Sequence, residues 1–142
     1  MLFRSNRRLP TPDGVRLAPN PAGVVDHAVP VLRVTSADKK LVSVVLGYAC
    51  HNTALGPTRQ INGDYAGFAL RKLSQDHPEA IPLFLMGCGG DQDPSPRRDQ
   101  QDAERNGLAL AAAVETVLEQ PLPALAPSLD RKSTRLNSSH RT

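Results

Sequence analysis

Leu41 to Ala49 is a nearly continuous apolar run that includes Val42, Val44 and Val45. Such a run predicts a strand buried on both faces. Ala28 to Val34 is also mostly apolar, with Val29, Val31, Leu32 and Val34 around Pro30 and Arg33. It predicts a strand at a sheet edge, because Pro30 has no N–H to give a ladder. The polar turn Ser36 to Lys40 joins the two runs, and so short a connection predicts an antiparallel hairpin. Cys50 to Asn62 is a largely polar loop. Beyond it Ala66, Ala69, Leu70 and Leu73 recur at helical spacing. Asp64 stands where an N-cap belongs, and Pro78 ends the element. Ile81 to Met86 predicts another buried strand, stopped by Gly87-Cys88-Gly89-Gly90. Ala103, Gly107, Leu110, Ala111, Val114 and Leu118 form the apolar stripe of a second helix, from about Asp99 to Leu118. Asp99, Asp102 and Glu104 lie near its start, where the helix dipole favours them. Met1 to Pro21, rich in Pro, Arg and Asn, has no apolar period and reads as loop or extended chain.

The order strand, helix, strand, helix predicts an α/β fold. Its form is a mixed β-sheet with a β-hairpin and a right-handed βαβ crossover, the helices packed on the sheet. The crossover makes Leu41–Ala49 and Ile81–Met86 parallel neighbours. Both strands then end at one sheet edge, where ligands bind in open α/β sheets. The loop that begins at Cys50-His51 and the loop Gly87 to Asp93 are therefore expected to meet.

Composition narrows the classes. The chain has 142 residues, is 39% hydrophobic and 22% charged, and contains 10 Gly and 13 Pro. That is globular composition, enough to bury roughly 65–70% of the unfolded surface without disulfide staples. No apolar run reaches the ~18 residues of a membrane span. No apolar stretch follows the charged start, so no signal peptide is expected. Two Cys make neither a disulfide framework nor a complete zinc cage.

The net charge of +3 misleads. The stretch Asp130-Arg131-Lys132-Ser133-Thr134-Arg135-Leu136-Asn137-Ser138-Ser139-His140 reads as the translation of a common sequencing-library adapter. Without residues Asp130 to Thr142 the chain has 13 basic and 13 acidic residues. A neutral body gives no support for a nucleic-acid partner. The expectation is that residues 1–129 are a fragment of a longer domain, cut near Leu129, and that 130–142 are not native.

Among residues that carry chemistry, His51 follows a buried strand beside Cys50, Asn52 and Thr53. A neutral imidazole there can ligate a metal, act as a base, or simply be satisfied by loop carbonyls. His27 and His77 read as solvated surface residues. Gly87 to Pro96 is the densest signal. Its glycines allow close backbone approach or positive φ. Asp91 and Asp93 can bind a metal, orient a His or cap the next helix. A phosphate cradle fits poorly, because the dinucleotide fingerprint needs its glycines directly before a helix and two carboxylates repel phosphate. Cys50 and Cys88 follow neighbouring strands and read as two buried thiols, with a disulfide or soft metal ligation as alternatives.

Three segments together resemble the neutral/alkaline (non-lysosomal) ceramidase family. They are Val25-Asp26-His27-Ala28-Val29-Pro30-Val31-Leu32-Arg33-Val34, then Tyr48-Ala49-Cys50-His51-Asn52-Thr53-Ala54-Leu55 with Asn62-Gly63-Asp64-Tyr65-Ala66-Gly67-Phe68-Ala69, and Gly90-Asp91-Gln92-Asp93-Pro94. The resemblance spans about Asn6 to Leu118. It implies a zinc-dependent amidohydrolase that cleaves the N-acyl amide of ceramide or a related lipid amide. His51 would be one zinc ligand, with Asp64, Gly90 and Asp91 in support. The family's other ligands, a His in an earlier His-x-His-type segment and a later Glu and Tyr, have no counterpart here. The family's catalytic Ser aligns with Asp93 without gaps, or with Ser95 after a two-residue insertion. At neutral pH Asp is only an acceptor, so Asp93 implies altered chemistry or an altered substrate. The resemblance also implies membrane-surface contact by the full-length protein and a secreted, periplasmic or cell-surface location. Two other readings compete. One is a lipid- or carbohydrate-binding member of the family without activity; the other is a nucleotide-binding domain built on Gly87 to Gly90.

Overall fold

A computed structural model describes residues 3–126; the tail 130–142 lies outside the described residues. In chain order the elements are β1 (Arg4–Asn6), β2 (Arg8–Thr11), β3 (Gly14–Leu17), β4 (Val31–Thr35), β5 (Leu41–Tyr48), α1 (Asp64–Asp76), β6 (Ile81–Met86), β7 (Gln92–Pro94) and α2 (Gln100–Leu118). The main sheet has the order β4-β5-β6. β4 and β5 form the expected antiparallel hairpin, with Leu32 opposite Val45. β5 and β6 are parallel, Ser43 facing Ile81 and Tyr48 facing Met86. The mixed α/β architecture is thus the one the apolar pattern predicts.

The core lies on one side of this sheet. Val44, Leu46 and Tyr48 of β5 pack with Tyr65, Ala66, Ala69 and Leu73 of α1 and with Ala103, Leu110, Ala111 and Val114 of α2. Phe3, Tyr48, Tyr65 and Phe84 form a chain of tilted and edge-on ring contacts, their centroids 4.9–6.1 Å apart. Tilted and edge-on pairs suit the ring quadrupoles. α2 opens on Asp99, whose side chain accepts from the Asp102 amide at 3.0 Å. Two arginines, Arg98 and Arg105, contact Asp102. The Arg98 hydrogen bond holds the Asp102 carboxyl below the usual range.

Two burial expectations are corrected, and the N-terminal segment shows more order than its sequence signals. β5 is not buried on both faces, because its second face is only half covered, as the alternating burial along the strand shows. Leu32, Val34, Ile81 and Leu85 lie on that open face, Ile81 66% and Leu85 62% exposed. β6 is therefore a partly exposed edge strand. The N-terminal segment, read as loop or extended chain, contains short paired strands. β2 and β3 form a hairpin around Pro12-Asp13, with Gly14 at φ +122°. Thr11-Pro12-Asp13-Gly14 is a turn signature in its own right. Thr11 Oγ1 donates to the Gly14 carbonyl at 2.8 Å. Finally, β1 pairs antiparallel with β7, Ser5 opposite Asp93. Three-residue strands carry too little periodicity to be read from sequence.

Candidate functional site

The two expected loops meet. The Gly87 amide donates to the Tyr48 carbonyl at 3.1 Å, and the His51 amide to the Gln92 carbonyl at 3.0 Å. A Cβ on Gly87 would lie 3.1 Å from Ala49, and one on Gly89 2.7 Å from the Cys50 amide nitrogen. These glycines permit close approach to a neighbouring backbone and none of the three adopts positive φ. Gly90 runs on into β7 and not into a helix, so the loop lacks the helix N-terminus that a phosphate cradle uses.

His51, Asn52 and Thr53 each bury a polar side-chain atom, Nε2, Oδ1 and Oγ1, with no partner among the described residues. Buried polar groups are almost always hydrogen-bonded, and an orphan costs about 1–3 kcal/mol. Three in successive residues mark a loop shaped for something other than its own stability. Arg4, Tyr48 and Gln92 add further orphans: Arg4 Nε and Nη2, the Tyr48 hydroxyl and Gln92 Oε1. Arg4 is only 6% exposed. Its guanidinium lies 4.2 Å from the Tyr48 ring centroid, and Nη1 makes a long 3.5 Å contact to the Ala49 carbonyl. Burial raises the Tyr48 phenol, and the nearby Arg4 charge works against that rise. Sequence reading missed Arg4 because the strand pairing that carries it under the His51 loop is too short to predict.

A buried guanidinium without a carboxylate partner destabilises the fold. Arg4→Met should therefore raise stability by about 1 kcal/mol, after a loss of similar size from the ring contact. Thermal unfolding checks this: the melting midpoint should rise by about 4 °C. A fall in midpoint would show that the guanidinium is better satisfied than its contacts suggest.

The carboxylates of the second loop are already engaged. Asp91 accepts from Asn6 Nδ2 at 2.9 Å and from Gln92 Nε2 at 2.8 Å. Asp93 is paired with Arg7 at 3.3 Å and with Arg97. Arg7 also donates to the Gly90 carbonyl from Nε and Nη2, at 3.3 and 3.2 Å. In the β1–β7 ladder Arg4, Asn6, Gln92 and Pro94 are buried while Ser5 and Asp93 are half-buried. Strand alternation therefore turns Asp93 away from Arg4 and Gln92. Asp93 and Ser95 line a cleft of about 420 Å³ with Ser5, Arg7 and Arg97, and His51 is not among its lining residues.

Asp64 is not the N-cap that its position suggests. Gly63 holds that place, and Asp64 is the first helical residue, at φ +50°. Its buried carboxylate accepts from the amides of Ala54, Leu55 and Tyr65 at 2.9, 2.9 and 2.7 Å. The thiols differ as well: Cys50 is buried and Cys88 exposed, both free. Burial pushes Cys50 up to about 12, so it stays protonated. One thiol, Cys88, should react with a maleimide at pH 8 in the native state and two after unfolding, as mass spectrometry can count. Fast native labelling of Cys50 would contradict the buried placement. His27 is exposed. His77 is not simply solvated, since its Nε2 lies 2.9 and 3.0 Å from the Glu115 carboxylate oxygens.

For zinc, the donor set is one nitrogen. His51 Nε2 is buried and unpartnered, as a ligand nitrogen must be. Among the described residues no group of three His, Cys, Asp or Glu lies close enough to hold a metal. A catalytic zinc takes three protein ligands, so these residues do not form a zinc site by themselves. Among the described residues no helix is long and apolar enough to cross a membrane.

No family model matches the chain, and no curated protein matches it. Solved structures do. The chain is similar to the crystal structure of neutral ceramidase from Pseudomonas aeruginosa, with 20% identity and a TM-score of 0.66 over 84% of this chain and 21% of that one. It is likewise similar to a ceramidase complexed with C2, with 19% identity and a TM-score of 0.62 over 83% of this chain and 22% of that one. The chain spans about a fifth of the length of these solved chains. At this identity the likeness establishes a ceramidase-like fold.

Proposed function

We propose that these residues are part of the catalytic domain of a ceramidase-like amidohydrolase acting on the N-acyl amide of ceramide or a related lipid amide. The observation that carries the reading is the row of buried, unpartnered polar atoms on His51, Asn52 and Thr53 at the carboxyl end of β5, within a fold shared with neutral ceramidase. His51 supplies one zinc ligand, the others coming from parts of the full-length protein beyond these residues. Zinc, when bound, polarises an amide carbonyl and lowers the pKa of bound water. Arg4 offers two N–H groups for a substrate oxygen. Asp64 holds the His51 loop, and Asp91 with the Gly90 carbonyl fixes the opposite loop. Asp93 cannot supply the hydroxyl that the family's Ser supplies, and Ser95 brings a hydroxyl to the same cleft. By the same reading the full-length protein works at a membrane surface, outside the cell or in the periplasm.

One observation favours the alternative, a family member that binds lipid or carbohydrate without cleaving it. Asp93 is an acceptor already held by two arginines. The test is hydrolysis of a short-chain N-acyl sphingoid amide by the full-length protein, before and after a zinc chelator. Release of fatty acid that stops with the chelator and returns with zinc supports the amidase. Retained binding with no release selects the binding member.

A further inference from the structure

The dipeptide Asp64-Tyr65 touches both ends of the loop that carries His51. The Asp64 carboxylate takes the amides of Ala54 and Leu55, each at 2.9 Å, which closes the far end of the loop. The Tyr65 hydroxyl donates to the Cys50 carbonyl at 2.6 Å, which closes the near end. Asp64 is 4% exposed and Tyr65 fully buried. Between these two fixed points lie His51, Asn52 and Thr53, each with a buried polar atom that has no partner among the described residues. A loop with so many unmet polar atoms gains little from its own contacts and would relax if released. The His51 amide is tied to the Gln92 carbonyl of β7 at 3.0 Å, and the two ends of the loop are held by the start of α1. The left-handed backbone at Asp64 belongs to the same device. It is an uncommon conformation outside glycine, tolerated by Asp, and the Asn62 side chain braces it by accepting from the Asp64 amide at 3.0 Å.

We propose that Asp64 and Tyr65 are positioning residues that clamp the His51 loop from both ends, so that α1 sets where the imidazole stands. The proposal deepens the reading of His51 as a functional ligand and rests on it for its purpose. The clamp itself is a matter of geometry. It differs from a helix cap in the amides it reaches: beside the Tyr65 amide in the first turn of α1, the Asp64 carboxylate takes those of Ala54 and Leu55, outside the helix.

Asp64→Asn and Tyr65→Phe keep size and shape while weakening one end each. Amide hydrogen exchange of the folded chain should show Ala54 and Leu55 exchanging about tenfold faster or more in Asp64→Asn, because bonds to a charged acceptor are lost locally. The amides of β5 and α2 should hold their rates. The carbon-bound ring protons of His51, read by NMR, should give one sharp set of signals in the wild type, and in either variant those signals should shift or broaden as the loop loses its fixed end. The clamp is overturned if α2 and the loop speed up by the same factor, or if the midpoint of thermal unfolding falls while the His51 ring signals stay unchanged. Failure of the amidase reading looks different: the loop and ring signals respond as described, but His51→Ala leaves hydrolysis by the full-length protein untouched.

Discussion

Gly107→Ala is expected to remove about 3 kcal/mol of stability, although Ala favours a helix over Gly by about 1 kcal/mol. Gly107 is buried on α2 where that helix lies against α1. A Cβ there would stand 2.5 Å from Phe68 Cβ, 2.5 Å from the Tyr65 carbonyl oxygen and 2.9 Å from the Ala69 amide nitrogen. Comfortable contact between carbon atoms begins near ~3.5 Å, so the misfit is about 1 Å. Two of the three opposing atoms belong to the backbone of α1 and cannot rotate away. The helices must separate, and the core they share with β5 loosens along their length. Against a total stability of ~5–15 kcal/mol this is a large fraction. The unfolding midpoint should fall by roughly 10 °C. Gly67→Ala is the internal control. It lies in α1, and a Cβ there meets nothing within 4 Å. Propensity then acts alone, and stability should rise by about 0.5–1 kcal/mol. Chemical denaturation of the two variants beside the wild type reads both signs. Equal effects at the two positions would mean that helix packing does not decide the outcome.

On the amidase reading proposed above, His51→Ala is expected to lower kcat/KM for amide hydrolysis by the full-length protein roughly 10³-fold, the scale on which catalysis depends on a well-placed acid, base or ligand group. The melting midpoint should not fall. Among the described residues Nε2 of His51 has no partner, so its removal breaks no hydrogen bond there and relieves an unmet buried polar atom. The imidazole is half-buried and stands outside the core cluster, which limits any cavity effect. Loss of activity with an undiminished melting midpoint is therefore the signature of a functional residue. An unchanged rate would discard His51 as a ligand and leave the binding member in front. Asp93→Ser adds a second reading from the same assay. It restores the residue type that the family resemblance expects at this place, and it frees Arg7 and Arg97. A faster variant would show that Asp93 marks a departure in chemistry; a slower one would give Asp93 itself a role.

Much of this protein was readable from the order of its residues. The apolar run Leu41–Ala49 read as a strand, and the spacing of Ala66, Ala69 and Leu73 as one buried helical face. The helix between β5 and β6 implied a crossover and so a parallel pair, and with it the meeting of the His51 loop with Gly87–Asp93. These inferences succeed because burial of an apolar face follows a local period, 2 in a strand and 3.6 in a helix. Other features belong to the tertiary structure. That only one face of β5 is covered depends on both helices packing on the same side, and the run of valines reads alike in either case. Arg4 lies in a segment without periodicity, and only its pairing with Pro94, far along the chain, buries its charge beside Tyr48. Asp64 stands where a cap belongs, and local sequence cannot tell a carboxylate turned to its own helix from one turned to Ala54 and Leu55. For Arg4 and Asp64 the physical reason is the same. Hydrophobic patterning is summed over many residues of one element and survives local exceptions, whereas the partner of a single polar atom is set by a geometry of a few tenths of an ångström between segments distant in the chain.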